Sequence, residues 1–399
     1  MMDIFYDGKS NRVEDSIKTI GQLDGRRFRI FMDIVSSCFG NCSGCALSFA
    51  ERKDNTPEMS IEQVRQYLNF FVPMINKKVD ENKLFTSVVN FGTGDYFTME
   101  QEYLEELFKE TSDFFKKLKT PRNVMTISTS LFMKPEKMKP KINAIQKHLL
   151  GNQFAIDAVI DPTVLDKHFD NYLNNYKMIK KDFPFFDLVV NISNHVTEKD
   201  IENLMKFFKE LNLLSFDIQY ALNKTNTYRV KVDKLKFKDL MHIVETQATD
   251  KETLLGYNLA IPSAKEEDSK TIFEHIKGQA KEIINERFAV KGNGDIYPIA
   301  FGYGDIILDE KYDMMPIGNT KDAYFDEEKA SKIIENYLLG IFKKNKVCHT
   351  CEYSSMCYST GYSFYNKFSH PKECENVGLY IFEGLKNNTW LAHIDDFKK

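Results

Sequence analysis

Short runs rich in β-branched and aromatic residues recur along the first half of the chain: FRIFMDIV (Phe28 to Val35), TSVVNF (Thr86 to Phe91), VMTIST (Val124 to Thr129), FAIDAVI (Phe154 to Ile160), FDLVVNI (Phe186 to Ile192) and SFDIQYA (Ser215 to Ala221). They predict six strands. Between them the apolar positions change to helical spacing. Ile61, Val64, Leu68, Phe71 and Ile75 follow a capping box of Ser60 and Gln63, and Thr98 and Gln101 repeat that box ahead of Tyr103 to Leu118. Further helical faces are Ile142, Ile145 and Leu149, then Phe169, Leu173, Tyr176 and Ile179, then Ile201, Leu204, Phe208 and Leu211 after Thr197. Strand–helix alternation with right-handed crossovers predicts a parallel sheet covered by helices. Six such units suit a partial (β/α)6 barrel, with ligands expected at the C-terminal strand ends, where Cys38 falls.

Beyond Ala221 the texture changes. A charged stretch, a helical pattern around Leu240 to Val244 and the acidic AKEEDSK read as a connector over residues 223–286. RFAVKGNGDIYPI, from Arg287, reads as two strands around a glycine turn. A helix around Ile333 to Phe342 leads to Cys348, and Val377 to Leu385 predicts a last helix starting near Cys374. The expected division is an N-terminal extension (1–27), the barrel (28–222), the connector (223–286) and a small α+β cysteine-rich domain (287–399).

Composition narrows the class. Forty-two per cent hydrophobic and 28% charged residues, with 19 Gly and 11 Pro among 399, exclude disorder, collagen and coiled coil. Lys and Arg number 54 against 58 Asp and Glu, a net charge of −4, so there is no overall field for nucleic acid. The start has acids and no apolar core of a signal peptide, and no run reaches the ~18 apolar residues of a membrane span. A cytoplasmic location is expected, in which clustered cysteines mean metal or catalysis more often than disulfides.

The seven cysteines fall into two groups, Cys38, Cys42 and Cys45, and Cys348, Cys351, Cys357 and Cys374. C-F-G-N-C-S-G-C packs three thiols into a loop that can hold an iron–sulfur cluster, leaving one iron open to an outside ligand. Zinc is the alternative, but it wants a fourth Cys or His nearby, and no His lies between Met1 and Lys147. On spacing alone, the C-terminal C-x2-C-x5-C and distant Cys374 suit a four-thiolate zinc knuckle or a fully ligated [4Fe-4S] cluster.

The C-x3-C-x2-C loop after the first strand of a six-unit barrel resembles the signature of radical S-adenosylmethionine (SAM) enzymes. F-G-T-G-D-Y-F resembles that family's G-G-E-P segment, which contacts the methionine amino group of SAM. Thr93, Gly94, Asp95 and Tyr96 take its four places, with Asp a methylene shorter than Glu and Tyr replacing a rigid Pro. I-S-T-S-L (Ile127 to Leu131) resembles the segment that reaches the ribose, with Ser130 where Asn is frequent, and Gly44 replaces a residue that is commonly aromatic. The C-terminal cysteines, with V-K-G-N-G-D-I-Y-P-I and I-G-N-T, are similar to the auxiliary-cluster domain called SPASM. Ile299, Ala323 and Gly361 stand where the ligands of that domain's proximal cluster are expected, while Cys348, Cys351, Cys357 and Cys374 keep the distal set.

The resemblance therefore implies two [4Fe-4S] clusters: one on Cys38, Cys42 and Cys45 that binds SAM, and one auxiliary cluster on the other four cysteines. It implies reductive cleavage of SAM to a 5′-deoxyadenosyl radical and oxidative cross-linking or desaturation of a peptide or protein side chain. A flavodoxin- or ferredoxin-type electron donor is the expected partner, together with either a separate leader-binding protein or a substrate that needs no leader, and with neither nucleic acid nor membrane. All seven cysteines are then ligands, which leaves no thiol as hydrogen donor and weighs against epimerisation. Tyr358, Tyr362 and Tyr365 lie beside the cluster as relays or as packing, and His349 as a hydrogen-bond donor to its sulfur or as an exposed side chain. The basic segment Asn223 to Lys234 reads as a solvated loop or as a receiver for an acidic substrate. The rival functions are oxidation of a small molecule and a non-catalytic zinc-binding interaction protein.

Overall fold

Alternate residues of the first strand have different surroundings, and that alternation organises the molecule. Phe28, Ile30 and Met32 are fully buried under helices, while Arg27 and Arg29 face the other way and are half-buried. The computed structural model describes residues 27–35, 37–40, 42, 50, 53–54, 56–81, 83–84, 86–92, 94–150, 153–182, 186–192, 195–211, 215–220, 256–257, 271–300, 306–359 and 374.

Six strand–helix units run in chain order: β1 (Arg27–Met32), α1 (Ile61–Asp80), β2 (Thr86–Phe91), α2 (Gln101–Phe115), β3 (Arg122–Thr129), α3 (Pro135–His148), β4 (Phe154–Ile160), α4 (Pro162–Asp182), β5 (Phe186–Ile192), α5 (Glu198–Leu211) and β6 (Ser215–Tyr220). Strands β1 to β6 pair in sequence order and all in parallel, as expected of a partial barrel. The Ser60–Gln63 capping box opens α1, and Thr197 with Asp200 opens α5. Thr98 does not cap α2. Its hydroxyl donates to the Asp95 carbonyl at 2.7 Å and pairs with the Ser37 hydroxyl, so α2 begins after Glu100 without a side-chain cap.

The parallel sheet continues beyond six strands at both edges. Strand β7 (Gly256–Tyr257) pairs with β6 inside the stretch that reads as a connector, and α6 (Ile272–Glu286) follows with a Thr271–Glu274 capping box. Strand β8 (Arg287–Val290) then pairs in parallel with β1, Arg29 opposite Arg287 and Met32 opposite Val290. It turns through Gly294 (φ +91°) into antiparallel β9 (Asp295–Ala300). At Gly294 a Cβ would lie 3.0 Å from the Thr320 hydroxyl, so the turn requires glycine. Strands β10 (Ile306–Ile307), β11 (Gly318–Asn319) and β12 (Tyr324–Phe325) complete this extension. Helix α7 (Glu327–Lys344), a 3-10 turn at Lys346–His349 and α8 (Ser354–Ser359) end the described chain apart from Cys374, with α7 and α8 packed on α6.

Four phenylalanines join the barrel to this second part. Phe28 of β1 meets Phe71 of α1 at 5.9 Å and Phe288 of β8 at 5.4 Å, and Phe288 meets Phe325 of β12 edge-on at 5.2 Å. Aromatic burial of this kind dominates core energetics. We predict that Phe288→Ala costs about 3–5 kcal/mol of unfolding free energy. Urea unfolding followed by circular dichroism checks this, and a loss under about 1 kcal/mol would mean that the two parts do not lean on each other here.

Candidate active site

The C-terminal ends of β1, β2 and β3 are tied together around one carboxylate. Backbone bonds carry the β1–β2 pairing past the strands: Gly92 N–H donates to Met32 O (2.8 Å), Gly94 N–H to Val35 O (3.0 Å) and Asp95 N–H to Ser37 O (2.8 Å). Gly92 has φ +84°, and a Cβ there would fall 2.6 Å from the Tyr96 ring. Asp95 then turns inward and is 1% exposed. Its Oδ1 accepts from Phe97 N–H (3.1 Å), and its Oδ2 accepts from Ser130 N–H (3.0 Å), Ser130 Oγ–H (2.5 Å) and Thr129 Oγ1–H (3.3 Å). Burial raises the Asp95 carboxyl above its ordinary value, and the bonds from Ser130, Phe97 and Thr129 pull it back. The two side chains singled out in the sequence for SAM, Asp95 and Ser130, are thus bonded to each other. Thr93 lies outside the described residues.

The first cysteine loop sits on this clamp. Cys38 and Cys42 are half-buried, and Gly40 N–H donates to Cys38 Sγ at 3.2 Å. A Cβ on Gly40 would lie 3.2 Å from Cys38 Sγ, 3.2 Å from Ser130 Cβ and 3.7 Å from Cys42 Sγ. The glycine therefore lets the loop close onto Ser130 with both sulfurs beside it. Cys45 and Gly44 lie outside the described residues.

Helix α4, which bends at His168 (φ −127°), supports the rim from the other side. Leu131 has φ +57°, in the left-handed region that non-glycine residues seldom occupy. Asn175 Nδ2 donates to Leu131 O and Met133 O, each at 2.7 Å, and Asn171 Nδ2 adds a bond of 3.2 Å to Leu131 O. Tyr172, between them on the helix, is fully buried with no hydrogen-bond partner for its hydroxyl, and burial with the nearby Cys42, Asp161 and Cys38 raises that hydroxyl's pKa far above normal. Sequence reasoning missed Asn171, Tyr172 and Asn175, because their only signal is a helical position that an ordinary packing face shares.

The concave face of the sheet is polar. Phe154 meets Phe108 of α2, so Phe154, Ile156, Ala158 and Ile160 face the helices, and the alternate positions Ala155, Asp157 and Val159 face inward. Register puts Asn90 and Thr126 opposite each other on that inner face, with Asn191 there on β5. Asn90 Oδ1, Thr126 Oγ1 and Asn191 Oδ1 are buried without a hydrogen-bond partner. Such atoms are costly unless something polar meets them.

The second cysteine group is assembled by short-range turns. Cys348 N–H bonds to Asn345 O at 2.9 Å, Ser354 N–H to Cys351 O at 3.2 Å, and Cys357 N–H to Tyr353 O at 2.8 Å as α8 begins. Cys348 and Cys357 are buried, and Cys351 and Cys374 are half-buried. Burial pushes the Cys348 thiol up to about 11, and the neighbouring Cys374 and Cys351 add to the rise. His349 does not turn to a sulfur: its Nε2 lies 3.1 Å from Phe342 O. Ile299 is core and Ala323 lies in an exposed turn with φ +50°. Tyr362, Tyr365, Gly361, the 377–385 pattern and the basic segment 223–234 fall outside the described residues.

Among the described residues no three His, Cys, Asp or Glu side chains are gathered tightly enough to hold a single metal ion. Both groups nevertheless suit iron–sulfur clusters in donor type and surroundings. The first has Gly40 open between two sulfurs over a buried polar clamp, and the second has a buried thiol next to two others and a tyrosine hydroxyl without a partner. Among the described residues no helix is long and apolar enough to cross a membrane.

No family model matches the sequence, and neither does any curated protein. Solved structures do. The chain is similar to native anSMEcpe with bound AdoMet and Cp18Cys peptide, at 15% identity and TM-score 0.58 over 93% of this chain and 99% of that one. It is also similar to SuiB of Streptococcus suis bound to the precursor peptide SuiA, at 14% identity and TM-score 0.53 over 91% and 78%. The partial barrel and its extension share the fold of these structures.

The clamp makes a prediction with a sign. Because the Ser130 hydroxyl favours the ionised carboxylate, Ser130→Ala, which keeps the backbone donor, raises the Asp95 pKa further. The folded-state pKa already stands above the unfolded one, so this group's contribution to stability is full below the unfolded value of 3.8 and falls as pH rises. The variant should therefore lose about 1–3 kcal/mol at pH 7 and less at pH 4, measured by urea unfolding. An equal loss at both pH values would show that the serine does not serve a charged carboxylate.

Proposed function

We propose that this chain is a radical SAM oxidoreductase that oxidatively modifies a peptide or protein side chain, by cross-linking or desaturation. The observation that carries the reading is the placing of Cys38, Gly40 and Cys42, from the C-x3-C-x2-C motif, against the Asp95–Ser130 clamp at the C-terminal rim of a parallel partial barrel. When bound, a [4Fe-4S] cluster and SAM together supply a 5′-deoxyadenosyl radical that takes hydrogen from the substrate.

Cys38, Cys42 and Cys45 hold that cluster with three thiolates, leaving one iron for SAM. Gly94, Asp95 and Ser130 at the strand ends, with Thr93 assigned by its place in the sequence motif, are to receive the methionine and ribose. Asp95 already has four donors on its carboxylate, so in this reading it fixes the backbone of Phe97 and Ser130. Asn90, Thr126 and Asn191 offer buried polar contacts inside the barrel, where a radical needs protection from water. Cys348, Cys351, Cys357 and Cys374 hold an auxiliary cluster whose filled shell suits electron transfer. No thiol remains to return a hydrogen atom, which favours oxidation. The peptides in the anSMEcpe and SuiB structures support a peptide substrate here. A flavodoxin- or ferredoxin-type protein would supply electrons, and a separate protein would present the leader.

Anaerobic reconstitution is expected to yield about eight irons per chain, and dithionite with SAM is expected to release 5′-deoxyadenosine. Cys42→Ala should abolish that release and keep about half the iron. Zinc with no SAM cleavage would replace this reading with the binding-protein one, and full activity in Cys42→Ala would remove the catalytic assignment.

A further inference from the structure

Part-way down the inner wall of the barrel, three oxygen atoms are buried with no hydrogen to accept: Asn90 Oδ1, Thr126 Oγ1 and Asn191 Oδ1. Strand pairing uses the backbone alone, so nothing in the sheet calls for them, and apolar side chains of the same size would spare the fold the cost of unmet polar atoms. The wall beside them is apolar. Register sets Phe31 next to Asn90, Asn90 next to Thr126 and Thr126 next to Ala155, with Val88 and Val124 one step deeper on the same face. Phe31, Val88 and Val124 are buried. Asn90 precedes Gly92 by two residues, about 7 Å of strand. It therefore stands within a long side chain's reach of the rim that Asp95 and Ser130 clamp.

An apolar cleft with a few polar groups aimed into it is how proteins take up a small group selectively. The orphaned atoms also specify the group. All three accept, so the group must donate. A hydroxyl brings one hydrogen, a carboxamide two and an ammonium three, whereas a carboxylate only accepts and a hydrocarbon does neither. Resting on the radical SAM and peptide reading above, we propose that Asn90, Thr126 and Asn191 are specificity-determining residues that receive a nitrogen-tipped side chain of the substrate, a carboxamide or an ammonium. The nitrogen lies among the three oxygens, and the carbon stem points toward Ser130 and the first two cysteines. What the unmet atoms cost in stability is regained as selectivity, because a site built around hydrogen bonds rejects an analogue that cannot make them far more sharply than an apolar pocket rejects a missing methylene.

Two measurements on the full chain test this. Without any substrate, Thr126→Val keeps the shape and removes an unmet hydroxyl, so its urea midpoint should rise; a fall would show that the hydroxyl serves the fold and would overturn the proposal. In the second, the anaerobically reconstituted chain receives SAM, dithionite and one peptide at a time, acetyl-Ala-X-Ala-amide, in which X is side-chain-deuterated lysine, glutamine, glutamate or leucine. Deuterium taken from the probe ends in 5′-deoxyadenosine, and mass spectrometry reads the labelled fraction. Lysine or glutamine should label it about tenfold more than glutamate or leucine, with lysine marking an ammonium and glutamine a neutral amide. Asn90→Leu with Thr126→Val should bring the fractions together; if that chain does not fold, Thr126→Val alone carries the comparison. Equal labelling by glutamate or leucine, no label from any probe, or a preference that survives the substitutions would overturn the selection, while the 5′-deoxyadenosine formed keeps the radical SAM reading standing. No 5′-deoxyadenosine at all would remove that reading and the proposal with it.

Discussion

A carboxylate removed from water must collect donors, and the burial of Asp95 places that demand on the strand ends around it. An isolated buried charge costs several kcal/mol, while one hydrogen bond to a charged group returns about 1.5–3. A single partner does not suffice, and the fold brings four donors from two strand ends. Meeting that demand fixes the Phe97 turn, brings the end of β3 against the end of β2, and puts Ser130 under Gly40 and the first two cysteines. The strained Leu131 and the asparagine props from α4 follow from the same need, because the segment after Ser130 must turn sharply once its serine is committed.

How much of this could be read from the sequence depended on how local each signal was. The strands and covering helices were legible because one-sided burial forces periods of two and of 3.6 onto the residues, as in Phe154, Ile156, Ala158 and Ile160. The grouping of the cysteines was legible for a similar reason, since Cys38, Cys42 and Cys45 lie close together in sequence. The bond between Asp95 and Ser130 joins residues 35 apart, and each resembled a separate ligand contact until the fold made them partners. Thr98 shows the converse. Its local pattern fits a cap, but Ser37, 61 residues away, takes the hydroxyl. The pairing of β8 with β1 left no trace, because a strand carries no mark of which neighbour it will join.

The two cysteine groups differ in their support. The first depends on long-range bonds between strand ends, so its shape is inherited from the barrel. The second is made of consecutive turns and a six-residue helix, with backbone bonds spanning three or four residues, and it owes its place to packing on α6 and α7. A small element of that kind has little core of its own. Its position relative to the barrel is set by the aromatic contacts around Phe288 and by α6, which leads directly into β8.

That junction has a consequence for the spacing of the two groups. Strand β8 is hydrogen-bonded along β1, and β1 leads within a few residues to Cys38. The frame that carries the second cysteine group is therefore laced to the strand that presents the first. Here a continuous ladder of backbone hydrogen bonds between β8 and β1 holds the span, so the spacing of the two groups is tied to the sheet itself.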